Sequence, residues 1–228
     1  MWHRRIALAL AILAVVLLAA SGLGVRAGLW PFRVGFGMFA GALFAGLGAA
    51  GVAGLALAVP RLRQRRPVMV AALLVGLACA AVPLDYLRRV KTLPYINDIT
   101  TDTEKPPQFS PPKPYEAHFA ELQQIGYPAL RPLELGAPPA QAFARARDAL
   151  QAMGLEIVAA DERAGRIEAV ATTQWFGFKD DVAVRVTPAG AGSRVDVRSK
   201  SRAGRSDVGT NAKRIQELLE RVAVAPKP

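Results

Sequence analysis

The sequence predicts an α+β protein in which three transmembrane helices precede a two-layer domain with a four-stranded antiparallel sheet and two packing helices. Three observations predict this fold class. Long apolar runs fill residues 1–90, ten of the 17 prolines fall within residues 92–139, and the last part alternates apolar with charged side chains. We therefore divide the chain into a membrane anchor (1–90), a Pro-rich strap (91–137) and an α+β domain (138–228).

Apolar runs predict transmembrane helices at residues 6–25, 34–59 and 68–87. About 20 helical residues are enough to cross a hydrocarbon core of about 30 Å. Trp30 and Phe32 lie in the loop between the first two runs, where aromatic side chains favour the membrane–water interface. These features predict a multi-pass membrane protein.

The positive net charge of +11 is concentrated in the anchor. Residues 1–90 hold ten arginines and one acid, whereas residues 91–228 hold 19 basic and 17 acidic residues. An arginine excess beside apolar segments is typical of membrane topology, whereas a nucleic-acid-binding domain carries its basic residues on the nucleic-acid-binding surface. We therefore exclude nucleic acid as a leading partner.

Arginine placement predicts the orientation in the membrane. The sequence HRR precedes the first span, and RLRQRR at residues 61–66 joins the second span to the third. With the N terminus inside, both lie on the cytoplasmic side, as positive-inside topology requires, and the C-terminal domain lies outside. Alternatively, LLAASG at residues 17–22 is a signal-peptidase site, and cleavage there leaves two spans and the same external domain.

Small residues form a stripe on the second span, at Gly37, Gly41, Ala45 and Gly48. Such a stripe allows close helix packing. It can be the seam of a homodimer, or it can pack against the other spans of the same chain, which is the interpretation we favour.

The strap is too rich in proline for a regular helix or an interior strand over most of its length. One part differs. Tyr115, Phe119, Leu122 and Ile125 repeat at helical spacing, and Gly126 follows as a stop. We predict a short helix there and an extended chain elsewhere.

The C-terminal domain begins with a helix that opens at Pro139 and ends at Gly154. Four strands and a final helix follow. The strands are predicted at residues 155–160, 166–175, 179–187 and 194–200, and the helix at 208–222. Apolar residues occupy alternate strand positions, which predicts a sheet with one apolar face covered by both helices.

Several longer motifs carry a family resemblance: YPALRPL, GRIEAVATTQWFGFKDDVAVRV, GSRVDVRSKSRAGRSDVGTNAKRI, and the upstream NDITTD with PPQF. Together they resemble the DUF1499 family (domain of unknown function 1499) over roughly residues 93–222. The resemblance implies an envelope protein behind membrane spans, and with the orientation above it implies a bacterial inner-membrane protein with a periplasmic domain. It implies no catalytic residues, because the family has no assigned activity.

No catalytic set, metal site or cofactor motif is recognised in the sequence. A hydrolytic triad needs a base beside a nucleophile, but the two histidines are His3 at the membrane end and His118 on the short strap helix. The motif NDITTD at residues 97–102 offers oxygen donors but lacks the glycine and terminal acid of a calcium loop. Asx turns explain it better.

Basic residues lead into the last helix, and they suggest an anion site. They are Arg198, Lys200, Arg202 and Arg205. A helix N-terminus presents N–H groups and partial positive charge to anions. The alternative, which we favour, is that Ser206 or Asp207 caps the helix and uses those N–H groups itself.

An aromatic hairpin carries Trp175, Phe176 and Phe178, followed by Asp180 and Asp181. Its aromatics can form a lip that binds lipid headgroups or a partner. We favour a structural interpretation in which they hold the strap, while the aspartates pair with arginines of the last strand. A ligand pocket between strap and sheet is compatible with either interpretation.

These features predict a non-enzymatic membrane protein whose external module binds an envelope protein or an anionic lipid or glycan. The alternative is an undescribed hydrolase or transferase that uses Asp180, Asp181, Asp207 and the arginines. The alternative requires these groups to converge in a concave site.

Overall fold

The computed structural model describes residues 2–59 and 66–224, which form parts of two compact units. One unit comprises Met1–Lys91 together with Gln174–Gly177, and the other comprises Thr92–Thr173 and Phe178–Pro228. We call the first the helical unit and the second the sheet unit.

The described part of the helical unit contains three long helices: α1 (Trp2–Arg26), α2 (Phe32–Ala58) and α3 (Arg66–Thr92). Each is long and apolar enough to cross a membrane, which confirms the prediction of three apolar N-terminal helices. The basic residues at 61–65, on which the predicted orientation depends most, lie outside the described residues.

Helices α2 and α3 are in close backbone contact at Gly46 and Gly76. A Cβ atom added to Gly46 would lie 2.6 Å from the carbonyl oxygen of Gly76, so only glycine allows this approach. Without a side chain, the two backbones gain van der Waals contact that a larger residue would prevent.

The predicted small-residue stripe of α2 packs mainly within the chain. Gly41 and Gly48 face leucine side chains of α1, at 3.2 and 3.3 Å from the positions their Cβ atoms would take. Ala45 is buried beside residues of α1 and α3. Gly37, in contrast, has no described atom within 4 Å of its Cβ position. Dimerisation through this helix stays a prediction.

The sheet unit is built on an antiparallel sheet with six strands in the described residues, in the order β1-β6-β5-β4-β3, with β2 also paired to β6. The strands are β1 (Asp98–Thr100), β2 (Leu133–Leu135), β3 (Glu156–Asp161), β4 (Arg166–Thr172), β5 (Lys179–Ala189) and β6 (Gly192–Ser201). The α+β class is confirmed, but the predicted strand number of four is wrong.

The two additional strands come from the strap. In β1, Ile99 pairs with Ser199, and in β2, Leu133 pairs with Val195, so both short strands line the same edge of β6. A sheet edge leaves backbone N–H and C=O groups unpaired, and proline cannot supply the missing N–H donors. The strap therefore contributes two triplets that contain no proline.

Three further helices in the described residues complete the sheet unit: α4 (Ala117–Gly126), α5 (Pro139–Ala152) and α6 (Thr210–Ala223). The helix predicted in the strap is α4. Helix α6 begins two residues later than predicted, because Val208 and Gly209 adopt left-handed conformations with φ of 48° and 83°.

One face of the sheet forms the hydrophobic core with α5 and α6. The buried members include Ile167, Val184, Val197, Leu150 and Ile215. The opposite face carries the charged residues that alternate with these apolar ones, because successive strand residues point to opposite sides.

Candidate functional site

Arg198 lies at the centre of the charged face of the sheet, and its side chain is completely buried. Its guanidinium donates hydrogen bonds of 2.9 and 2.8 Å to the two carboxylate oxygens of Asp98 on β1. Lys200 donates a further hydrogen bond of 2.8 Å to the same carboxylate. This arrangement satisfies the buried charges within the protein.

The strap wraps around the same guanidinium. Arg198 lies 4.9 Å from the ring centre of Phe109 and 5.4 Å from that of Tyr115, and it donates to the carbonyl oxygens of Pro107, Lys113 and Pro114. Cation–π contacts and charge-assisted hydrogen bonds therefore hold the extended segment on the sheet. Arg198, predicted as a ligand-binding residue, is enclosed by the protein and is not accessible to a ligand.

A second ionic cluster fixes the beginning of the strap. Arg185 and Arg194 both donate to the carboxylates of Asp102 and Asp196, over distances of 2.9 to 3.3 Å. Burial opposes ionisation of Asp102, but hydrogen bonds from the Lys105 backbone and Arg185 outweigh it and lower its pKa. The NDITTD motif thus provides the carboxylates of Asp98 and Asp102 for ion pairs.

The aromatic tip of the β4–β5 hairpin, which we expected to hold the strap, belongs to the helical unit. The indole N–H of Trp175 donates to Ser21 Oγ at 3.3 Å, and the ring of Phe176 stacks on Phe36 with centroids 5.0 Å apart. Gln174–Gly177 thus packs with the helical unit, which corrects our expectation. The reason is that Phe36 offers a flat apolar surface.

Phe178, the third aromatic residue of the motif, belongs to the sheet unit. Its backbone N–H donates to Thr173 Oγ1 at 2.8 Å, and Thr173 N–H donates to the Phe178 carbonyl at 2.8 Å. These two bonds close the hairpin just before its tip. The aromatic motif is therefore divided between the two units.

Asp180 and Asp181 are neighbours in β5, so their side chains point to opposite faces of the sheet. Asp180 accepts a hydrogen bond of 2.7 Å from Arg214 of α6, on the core side. Asp181 pairs with Lys113 of the strap and with Arg202, which donates at 2.7 and 2.9 Å. We expected partners on the last strand, but Arg202 lies just beyond it and Arg214 lies in α6.

Asp207 accepts hydrogen bonds from backbone N–H groups at the N-terminal end of the last helix. Its carboxylate accepts hydrogen bonds from the backbone N–H of Gly209 at 2.9 Å and of Asn211 at 2.8 Å. Ser206 Oγ accepts a weaker one, of 3.3 Å, from Val208. An anion would have to displace the Asp207 carboxylate, so the helix N-terminus is no open anion site.

Asp207 is itself buried, and burial raises its pKa above the ordinary value of 3.8 although the backbone N–H groups of Asn211 and Gly209 lower it. The hydroxyl of Tyr127 has no hydrogen-bond partner among the described residues. Burial, with the charge of Asp207 as a second cause, raises the pKa of Tyr127 to about 12.

A cluster of basic residues lies around the turn that follows β6. We call this surface the basic patch; it comprises Lys113, Lys179, Lys200, Arg202 and Arg205. Arg205 is exposed and makes no hydrogen bond or ion pair with any part of the chain that the structure describes. Arg202 is 45% exposed despite its ion pair with Asp181. Of the predicted basic residues, these two are therefore the best placed to contact a ligand.

Two surface cavities lie away from the basic patch. One, of about 730 Å³, adjoins Ala140 and residues 160–163. The other, of about 200 Å³, lies between strap residues 106–108 and the side chains of Arg166 and Arg185. Among the described residues, no group of three or more His, Cys, Asp or Glu side chains is placed to hold a metal ion.

The profile of the family described as "Protein of unknown function (DUF1499)" matches residues 98–222, which is more than half of the chain. The chain belongs to the DUF1499 family. A comparison with curated proteins found no match.

The DUF1499 segment covers most of the sheet unit, together with the hairpin tip Gln174–Gly177. It begins at Asp98, the buried partner of Arg198, and ends at Val222, the last buried residue of α6. All three transmembrane candidates lie outside it. Because the family description states no activity, it assigns no role to the basic patch or to the ionic clusters.

Several residues that shape this DUF1499 site were not singled out from the sequence. Asn97 donates to the Gly204 carbonyl at 2.6 Å, Lys113 pairs with Asp181, and Arg214 pairs with Asp180. Asn97 belonged to a motif that we interpreted as an Asx turn. Lys113 and Arg214 gave no local signal, because their partners lie far away in the chain.

Proposed function

We propose that this DUF1499 protein is a non-enzymatic, membrane-anchored binding module that holds anionic lipid headgroups with its basic patch. One observation carries the proposal. Asn97 Nδ2 donates a 2.6 Å hydrogen bond to the carbonyl of Gly204, which lies between Arg202 and Arg205. Asn97 is five residues beyond Thr92, where α3 ends, and five extended residues span at most about 18 Å. The turn that carries both arginines is thus tied to a segment that follows a candidate membrane span within five residues.

The chemistry of the patch suits a phosphate group. Arginine presents several N–H donors in a fixed plane that matches phosphate oxygens. Arg205 has no protein partner in the described structure, so its donors are available, and Lys179 is exposed on the neighbouring strand. Each basic residue near an anionic membrane surface contributes about 1 kcal/mol of binding.

The proposed location is the bacterial inner membrane, with the sheet unit in the periplasm. The HRR sequence in the first turn of α1 and the arginine-rich residues 61–66 support this orientation. An envelope protein or an anionic glycan with exposed phosphate or carboxylate groups would bind the same patch and would compete with lipid.

The placement of the aspartates favours binding over catalysis. An enzyme of the alternative kind would bring its carboxylates together in one concave site. Asp180 and Asp181 instead point to opposite faces of β5, and Asp207 already accepts two backbone hydrogen bonds. Each carboxylate therefore has a structural partner.

The proposal is tested with the full-length protein in nanodiscs that contain phosphatidylglycerol and phosphatidylcholine. After partial delipidation, mass spectrometry counts the phosphatidylglycerol molecules that each protein retains. We expect Arg205→Gln to weaken retention about five-fold, which corresponds to about 1 kcal/mol. Arg163→Gln, an exposed arginine on the β3–β4 turn, is the matched control. Unchanged retention for Arg205→Gln, or equal losses for both variants, would refute the proposal.

A further inference from the structure

Two large apolar side chains are unusually exposed near the beginning of the sheet unit. Tyr95 is 61% exposed and Ile125 is 75% exposed. Ile125 lies on α4, which buries Phe119 and Gln123 on its opposite side. A helical residue two positions from a buried one points away from the core, so most of the Ile125 side chain is left uncovered by the domain.

A close backbone contact joins the segments that carry these two residues. Gly126 packs against the ring of Pro94, and any Cβ at Gly126 would overlap that ring. Tyr95 follows Pro94, and Ile125 precedes Gly126. We call the exposed side chains of Tyr95 and Ile125 the proximal patch. The Gly126–Pro94 contact keeps the two backbone segments that carry them together.

The covalent chain indicates what covers the proximal patch. Tyr95 lies three residues beyond Thr92, the last residue of α3, and three extended residues span at most about 11 Å. Helix α3 is long and apolar enough to cross a membrane. A tyrosine at such a position suits the membrane interface, because its ring is apolar and its hydroxyl can remain hydrated.

We infer that the proximal patch inserts into the boundary between the headgroups and the acyl chains of the bilayer that the helices span. Tyr95 and Ile125 then serve as interfacial anchors of the sheet unit. Like the proposed function, this inference rests on anchorage of the protein in a membrane. Insertion of the proximal patch does not need anionic lipid, because burial of apolar surface drives it.

The test uses the full-length protein with Cys79, the only cysteine of the sequence, replaced by alanine. Ile125→Cys is labelled with the environment-sensitive fluorophore NBD and reconstituted into phosphatidylcholine vesicles that contain lipids with a shallow nitroxide quencher. Val158→Cys is the matched control, because Val158 is 56% exposed on β3. We expect blue-shifted emission and at least three-fold stronger quenching at position 125.

Labelled Tyr95→Cys provides a second probe, and circular dichroism verifies that each variant is folded. Water-like emission at both 95 and 125, or equal quenching at 125 and 158, would overturn the inference. So would blue-shifted emission without lipid quenching, which indicates a protein partner instead. Phosphatidylcholine has no net charge, so a result that appears only after phosphatidylglycerol is added belongs to the basic patch and also counts against insertion.

Discussion

The guanidinium of Arg198 and the carboxylate of Asp98 form a fully buried ion pair that joins β6 to β1. The two residues are 100 positions apart in the chain. Breaking a buried pair leaves an uncompensated charge in the interior, which is far more harmful than losing a surface ion pair. The pair therefore secures the start of the strap, and its loss should be visible there first.

We predict that Arg198→Met destabilises the sheet unit by about 3 kcal/mol, at the lower end of the range for a broken buried pair because Lys200 still contacts Asp98. Hydrogen exchange of the full-length protein, followed by mass spectrometry, should show lost protection in residues 98–116. Exposed Arg131 provides the control variant Arg131→Met. Strap amides that remain protected in Arg198→Met would contradict the role of this arginine.

Arg205, in the turn after β6, should tolerate substitution better than Asp207, which follows two residues later. Arg205→Ala should change the unfolding free energy by about 0.5 kcal/mol or less, because Arg205 is exposed and has no partner in the described residues. Asp207→Ala should cost about 1 kcal/mol, because it removes the acceptor for Gly209 and Asn211. Denaturant titration of the full-length protein in detergent measures both. If Arg205→Ala unfolds the sheet unit, the turn is a structural brace and not a binding surface.

Two aspartates should respond to acid in opposite ways. Burial opposes ionisation of Asp181, but hydrogen bonds from Arg202 and Lys113 outweigh it, so the folded pKa lies below the ordinary 3.8. Its contribution to stability is then present above about pH 3.8 and is lost as the pH falls through the folded pKa. For Asp207, burial raises the folded pKa above 3.8. The contribution of protonated Asp207 to stability is therefore complete below about pH 3.8, and it is lost as the pH rises through the folded pKa.

Unfolding of Asp181→Asn and Asp207→Asn between pH 3 and pH 6 tests this difference. The unfolding free energy of Asp181→Asn should approach that of the wild type as the pH falls. The unfolding free energy of Asp207→Asn should lie furthest below that of the wild type at the lowest pH. The same pH trend for both variants would show that one of the two assignments is wrong.

The close approach of α2 and α3 should depend on glycine at position 46. A valine there would meet the Gly76 carbonyl, and such overpacking costs about 1–3 kcal/mol. Reaction of the buried thiol of Cys79 with a fluorogenic maleimide during heating reports the separation of the helices. We expect a lower transition temperature for Gly46→Val. Gly37→Val is the control, because no described atom lies within 4 Å of that Cβ position; an equal loss in both variants would indicate a general effect of valine.

The proposed orientation has its own test. Alkaline phosphatase fused after Pro228 should be active, because this enzyme folds correctly only outside the cytoplasm, and a cytoplasmic reporter at the same position should be inactive. Both orientation schemes, with or without cleavage near residues 17–22, give this outcome. An inactive phosphatase with an active cytoplasmic reporter would reverse the topology and place the basic patch on the cytoplasmic leaflet.

Local patterns in the sequence were enough to predict the three apolar helices, the helix in the strap and the four longer strands. In each case neighbouring residues carry the signal: about 20 apolar residues in succession, or alternation over several positions, as in Val182, Val184 and Val186. The alternation also showed that charged and apolar residues occupy opposite faces.

Only the tertiary structure decided what covers those faces. The triplets of β1 and β2 are too short to carry a periodic signal, and they become strands because the edge of β6 offers unpaired backbone groups. Alternation places Arg198 on the charged face, but its burial depends on a strap that meets it from 84 to 100 residues away. The tip residue Phe176 packs on Phe36 for a similar reason. The energies of such contacts depend on which distant surfaces meet, and no local pattern encodes that pairing.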